Sequence, residues 1–220
     1  MAASVGANAL AHIGLGDAQQ IHHVLLTDAA AFRLGLVVAF ASAILFLMTA
    51  WGLYRLLRRV NPDVALLFLL LNTVGVAVHC ASLLQLVTAM LIGQGGVGDL
   101  APLQASLAQV SIETYRTGFV ATQLFFGAWL FPLGYLVLRS GFLPRILGIL
   151  LIADGVAEMI WFLQEFLLPT HPMITKPGTI VSLFAEVGLA LWLLIKGVKP
   201  TDTHPTLAVG VPDPTPATVH

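Results

Sequence analysis

Residues 147–169 read LGILLIADGVAEMIWFLQEFLLP. A helix that spans a bilayer needs about 20 predominantly apolar residues, and this stretch is long enough. It nevertheless carries Asp154, Glu158 and Glu165. A carboxylate at the centre of a spanning helix costs roughly 2.5–3.5 kcal/mol on insertion, whereas each large aliphatic residue returns about 0.3–0.6 kcal/mol. Asp154 and Glu158 therefore cancel most of the gain from about ten aliphatic side chains. Such a helix needs partners, and the spacing says where they lie. Leu147, Leu151, Asp154, Glu158, Trp161 and Glu165 follow steps of three and four residues, so the acids share one stripe that can be turned inward.

The rest of the chain has the same character. Its 220 residues are 58% hydrophobic and 10% charged, with a mean hydropathy of +0.91. Soluble domains carry about 25% charged residues, so most of this surface does not face water. A net charge of -1 leaves no basic footprint for nucleic acid. Cys80 is the single cysteine, which excludes an internal disulfide. The N-terminus lacks the basic and apolar regions of a cleavable signal peptide. The seven histidines have no zinc-binding spacing.

Five stretches qualify as spans: residues 31–54, 64–92, 118–138, 145–168 and 179–196. The fold expected is all-α, a polytopic transmembrane helix bundle with short amphipathic outer segments. Asn61 suits the cap of the second helix, with Pro62 at its first helical position. Pro144 is expected to start the fourth helix in the same way. Pro169, Pro172 and Pro177 separate the fourth and fifth helices, and Pro132 is expected to kink the third near Ala128. Between 99 and 117, Leu100, Leu103, Leu107 and Val110 form one helical stripe. That segment either lies on the membrane surface or extends the third span outward. Residues 1–30 form an extracytoplasmic segment in which 17–30 suits a short amphipathic helix. Residues 31–199 form the bundle, and the Pro- and Thr-rich end at 200–220 reads as a disordered cytoplasmic tail.

Lys and Arg near the span ends set the orientation. If the spans alternate, Arg55, Arg58, Arg59, Arg139, Arg145, Lys196 and Lys199 fall on one side, and Arg33, Arg116 and Lys176 on the other. Seven against three places the short loops and the C-terminus in the cytoplasm and the N-terminus outside.

Several ordered segments carry a family resemblance. They are AFRLGLVVAF, NPDVALLFLLLN, the run YRTGFVATQLFFGAWLFPLGYLVLRSGFLPRILGILLIADG, and AEVGLALWLLIKGVK. The most telling residues are Phe125, Phe126 and Gly127, then Gly134 and Tyr135, then RSGFLPRILGILL at 139–151. Over about residues 31–199 the chain resembles the bacterial membrane family called domain of unknown function 4386. The resemblance implies a multi-pass helical protein of the prokaryotic inner membrane. It implies no activity and no catalytic residue. It also implies one more hydrophobic helix before AFRLG, where residues 1–30 are too polar to span. Either an upstream helix precedes Met1, or this member lacks it.

Polar residues on the other spans form stripes that can face the acids. They are Asn72, Gly75, His79 and Ser82; Gln123, Gly127 and Gly134; Ser182 and Glu186; and Gly35, Ala39, Ser42 and Thr49 on the first span. At a rise of about 1.5 Å per residue, His79, Gln123, Glu158 and Glu186 come to a similar depth in the outer half of the membrane, with Asp154 one turn deeper. These five residues are the candidate ligand-binding set. Glu165 falls near the outer surface. Glu113 and Arg116 suit an interfacial pair, and Trp51, Tyr54, Tyr115 and Trp161 suit aromatic belts or lipid contacts. The methionines read as core.

Three functions fit this set. One is a pocket that binds or transports a proton, a cation or a small polar ligand. Another is a structural or accessory subunit, in which the polar stripes serve packing alone through protonated, hydrogen-bonded carboxyls and a hydrogen-bonded histidine. The third is a metal-dependent membrane enzyme using one histidine and two carboxylates, although no nucleophile with its base is visible. Haem is disfavoured by the single intramembrane histidine, although ligation by one histidine and one methionine is conceivable, and retinal-type chemistry is disfavoured by the absence of a mid-span lysine. The sequence names no cofactor and no metal. The partners it points to are the lipid bilayer and either a second protein or further copies of itself.

Overall fold

Asp28 begins the first helix by accepting the Ala31 amide at 2.9 Å. In the computed structural model, which describes residues 23, 25, 27–93, 101–168, 170 and 176–196, five helices follow in order. They are α1 (Ala29–Leu57), α2 (Pro62–Gly93), α3 (Ala101–Ser140), α4 (Arg145–Leu167) and α5 (Lys176–Lys196). No strand occurs among the described residues. Four helices are long and apolar enough to cross a membrane, and α5 contributes a shorter apolar run, Ile180–Ile195. Of the amphipathic segment expected at 17–30, only residues 23, 25 and 27–30 are described; the expected tail at 200–220 lies outside the described residues.

Local chemistry explains the helix ends. Asn61 Oδ1 accepts the Asp63 and Val64 amides, both at 3.1 Å, which is the cap its position implied. Pro144 differs from expectation. It is the cap residue itself, extended at ψ 131°, and its carbonyl takes the Leu147 amide at 3.1 Å. Between α3 and α4, Gly141 turns the chain at φ +72°, a conformation that favours glycine. Ser140 Oγ accepts the Leu143 amide at 3.2 Å and braces the same turn.

The segment from 101 to 117 extends the third span. It is continuous with the rest of α3, a helix of 40 residues that runs through Pro132. At about 1.5 Å per residue that is roughly 60 Å, about twice a hydrocarbon core. Its apolar stripe faces the other way from a soluble protein's. Leu103, Leu107 and Val110 are exposed, while Ala108, Ile112 and Tyr115 are buried. The whole surface follows this rule, with Val37, Leu45, Leu70, Ile149, Leu183 and Leu194 among many exposed aliphatic side chains. Lipid tails are as apolar as leucine, so a bilayer removes the reason to hide them.

Helices adjacent in sequence pack on one another, and α3 is the central element, with α2 on one side and α4 on the other. α5 packs against α4. α3 and α4 approach each other closely. A Cβ on Gly127 would lie 3.0 Å from the Gly155 carbonyl oxygen, and one on Gly155 would lie 2.9 Å from that of Gly127. Two turns along, Gly134 and Gly148 repeat the arrangement at 2.8 and 2.9 Å. Two reciprocal glycine pairs thus let the backbones touch, as small residues do in membrane bundles.

Burial forms two apolar clusters. One gathers Leu53, Leu57, Phe68, Leu133, Leu136 and Leu151 near the end where Arg55, Arg58, Arg59, Arg139 and Arg145 are exposed. The other gathers Phe32, Leu83, Leu86, Ile112 and Tyr115 toward the opposite end. The polar interior residues fall between them: Asn72 and His79 on α2, Gln123 on α3, Asp154 and Glu158 on α4, and Ser182 on α5.

Candidate functional site

Asp154 is fully buried on α4, at 0% exposure, and Glu158 one turn along is half-buried. Glycine again sets the approach of the partner helix. A Cβ on Gly178 would lie 2.9 Å from the Ala157 Cβ, so α5 closes tightly on α4 at this level. That closeness lets a side chain as short as Ser182 reach both acids. Its hydroxyl donates to Asp154 Oδ1 and lies 3.4 Å from Glu158 Oε1. Other intrahelical hydroxyls bond back to their own helix, as Thr49 does to the Leu45 carbonyl, Thr73 to Leu69 and Ser82 to Val78. Ser182 spends its proton across the interface instead.

The donor count does not close. Ser182 supplies one proton to two carboxyl groups. Asp154 Oδ2 and Glu158 Oε2 are buried and have no hydrogen-bond partner among the described residues. Glu158 also lies within electrostatic reach of both Asp154 and Glu186. Two ionised carboxylates at this spacing, out of water, would repel and leave lone pairs unsatisfied, which is costly in a low dielectric. An added proton or a small cation supplies what is missing.

The five candidates do not converge on one pocket. Asp154 and Glu158 come together through Ser182. Glu186 follows Ser182 by one turn of α5, but its side chain is exposed and lines a separate cleft. Gln123 is buried on α3, and no hydrogen bond joins it to the acid pair. His79 is half-buried with its ring edge-on to Phe119, centroids 5.5 Å apart, and Phe119 packs in turn on Trp161 at 6.1 Å. The shared depth expected for His79, Glu158 and Glu186 therefore does not become contact, because Phe119 stands between His79 and α4. Among the described residues no three His, Cys, Asp or Glu side chains are grouped to hold a metal ion, so the set of one histidine and two carboxylates is not assembled.

Other expectations sort the same way. Glu113 and Arg116 do pair on the surface at 3.4 Å, Trp51 is exposed, and Glu165 is half-buried at the end of α4. Tyr115 is buried, at 1% exposure, rather than in a belt, and Met48 is exposed rather than core. On α1 the small-residue stripe is only half used. Gly35 is buried, but Ser42 and Thr49 are exposed, and the packing face runs through Phe32, Leu36, Ala43 and Ala50.

Ser182 belongs to the site although the five candidates omit it. The signal was its place one turn from Glu186 on the polar stripe of α5. Asn72 is likewise fully buried, with both amide atoms unpartnered among the described residues.

Comparison with known proteins adds a family and no activity. The family described as Domain of unknown function 4386 matches residues 1–197. The match includes residues 1–30, upstream of the segments that carry the resemblance. An uncharacterized protein of Archaeoglobus fulgidus is 29% identical over 169 residues, which cover 74% of this chain and 84% of that protein. No solved structure matches the chain. With nearly its whole length matched and four helices long and apolar enough to span, the chain belongs to the family named domain of unknown function 4386, whose activity is unassigned.

Proposed function

We propose that the chain is a multi-pass protein of the cell's inner membrane that binds a proton or a small cation between α4 and α5. The observation that carries this reading is the imbalance at Asp154, Ser182 and Glu158. Two carboxyl groups share one hydroxyl donor, and two buried carboxyl oxygens are left over. Ionisable residues inside spans are expensive to keep and commonly mark ion or proton paths. The excess of Lys and Arg supports a cytoplasmic C-terminus and cytoplasmic short loops. The bilayer is the first partner of this surface.

Infrared spectroscopy of the purified protein in lipid tests the reading. A protonated-carboxyl stretch should be present at neutral pH. It should disappear in Asp154→Asn or Glu158→Gln, or be displaced by a monovalent cation. An accessory subunit with the cluster serving packing alone predicts instead that Glu158→Gln preserves every bond and changes no response to pH or cations. A wild-type spectrum with both carboxylates ionised and indifferent to added cations would sink the proposal.

A further inference from the structure

α1 and α5 leave an opening between them. It is a cleft of about 140 Å³ whose walls include Phe46 and Thr49 on α1, Trp129 on α3, and Glu186, Ala190 and Leu193 on α5. Apart from Glu186 and Thr49 these six residues are apolar. Glu186 lies ten residues from either end of α5, about 15 Å along the helix from both, and within its apolar run Ile180–Ile195. It makes no hydrogen bond or ion pair with a described residue. A carboxyl group in that position needs a proton or a countercharge.

We propose that this cleft binds a small lipophilic ammonium ion, with its N–H groups on Glu186 and its apolar part against Phe46 and Trp129. The chemistry of the walls selects that class. Glu186 supplies the charge. Thr49 donates its own proton to the Leu45 carbonyl at 2.9 Å and so presents its oxygen as an acceptor. Phe46 and Trp129 pack edge to face, with centroids 5.4 Å apart, and form an apolar wall for the rest of the ligand. A neutral ligand would leave the carboxylate unanswered, and an inorganic cation would leave the aromatic walls unused. A second copy of the chain does not supply the charge either. Among the described residues its arginines stand near helix ends or, at Arg116, in the surface pair with Glu113. The cleft opens beside α1 rather than between α4 and α5, and Glu186 makes no hydrogen bond to the Asp154–Ser182–Glu158 cluster, although it lies within electrostatic reach of both acids.

Binding of benzylammonium and of its neutral counterpart benzyl alcohol to the full chain in lipid nanodiscs is the test, with uptake by empty discs subtracted. Wild type should prefer the ammonium by about tenfold or more, the equivalent of one well-formed charged contact. Glu186→Gln should remove that preference. Ala190→Leu, which fills the cleft without touching the charge, should abolish binding of both probes. Equal affinity of wild type for the two probes would overturn the proposal. So would a preference that survives Glu186→Gln, or binding that ignores Ala190→Leu.

Discussion

Alanine at the glycine pairs of the α3–α4 crossing should destabilise the bundle in a coupled way. A methyl on Gly134 would stand 2.6 Å from Ile152 Cγ1 and 2.8 Å from the Gly148 carbonyl oxygen. One on Gly148 would stand 2.6 Å from Leu138 Cγ and 2.9 Å from the Gly134 carbonyl oxygen. Non-bonded heavy atoms settle near 3.5 Å, so the helices must part by roughly 0.5 Å or more. A gap of that size forfeits a quarter to a half of each contact across the crossing, where every atom pair is worth about 0.1–0.2 kcal/mol. Over some tens of pairs the loss is about 1–3 kcal/mol, the usual range for overpacking. Alanine's better helix propensity returns up to about 1 kcal/mol. Each single variant should therefore lose on the order of 1–2 kcal/mol. The double variant should lose much less than the sum, because one separation admits both methyls. Gly52, where a Cβ meets nothing within 4 Å, is the control, and Gly52→Ala should be neutral or stabilising. Reversible unfolding by denaturing detergent measures all four proteins. If Gly134→Ala behaves like Gly52→Ala, or if the two single losses simply add, the backbones do not touch as described.

Ser182→Ala removes the one donor that Asp154 and Glu158 share among the described residues, and the same unfolding assay should show a loss of about 1–3 kcal/mol. An unchanged stability would mean that the hydroxyl contributes nothing there. For orientation, Arg58→Cys in a Cys80→Ser background should resist a membrane-impermeant thiol reagent applied to intact cells and react once the membrane is opened. Labelling from outside would reverse the proposed topology.

Much of the fold could be read along the chain because helix formation in a bilayer is local. Backbone groups there are satisfied within the segment, so each apolar run of sufficient length becomes a helix. The starts follow from local chemistry too, as Asn61 shows, and periodicity alone put Asp154 and Glu158 on one stripe. Which stripe turned inward was another matter. Lipid and core are equally apolar, so Leu103, Leu107 and Val110 could face outward with no penalty, and Ser42 and Thr49 could leave the packing face of α1. Partners were decided at still longer range. Ser182 and Glu186 are four residues apart, which turns the helix about 40° past one full circle and advances it about 6 Å. That offset aims Ser182 at the acids of α4 and leaves Glu186 on the cleft beside α1. His79 matched Glu158 in depth but not in direction, and Phe119 fills the space toward α4. Residue spacing fixes the angle and height of a side chain on its own helix. Only close packing, through glycines such as Gly155 and Gly178, decides which neighbour it meets.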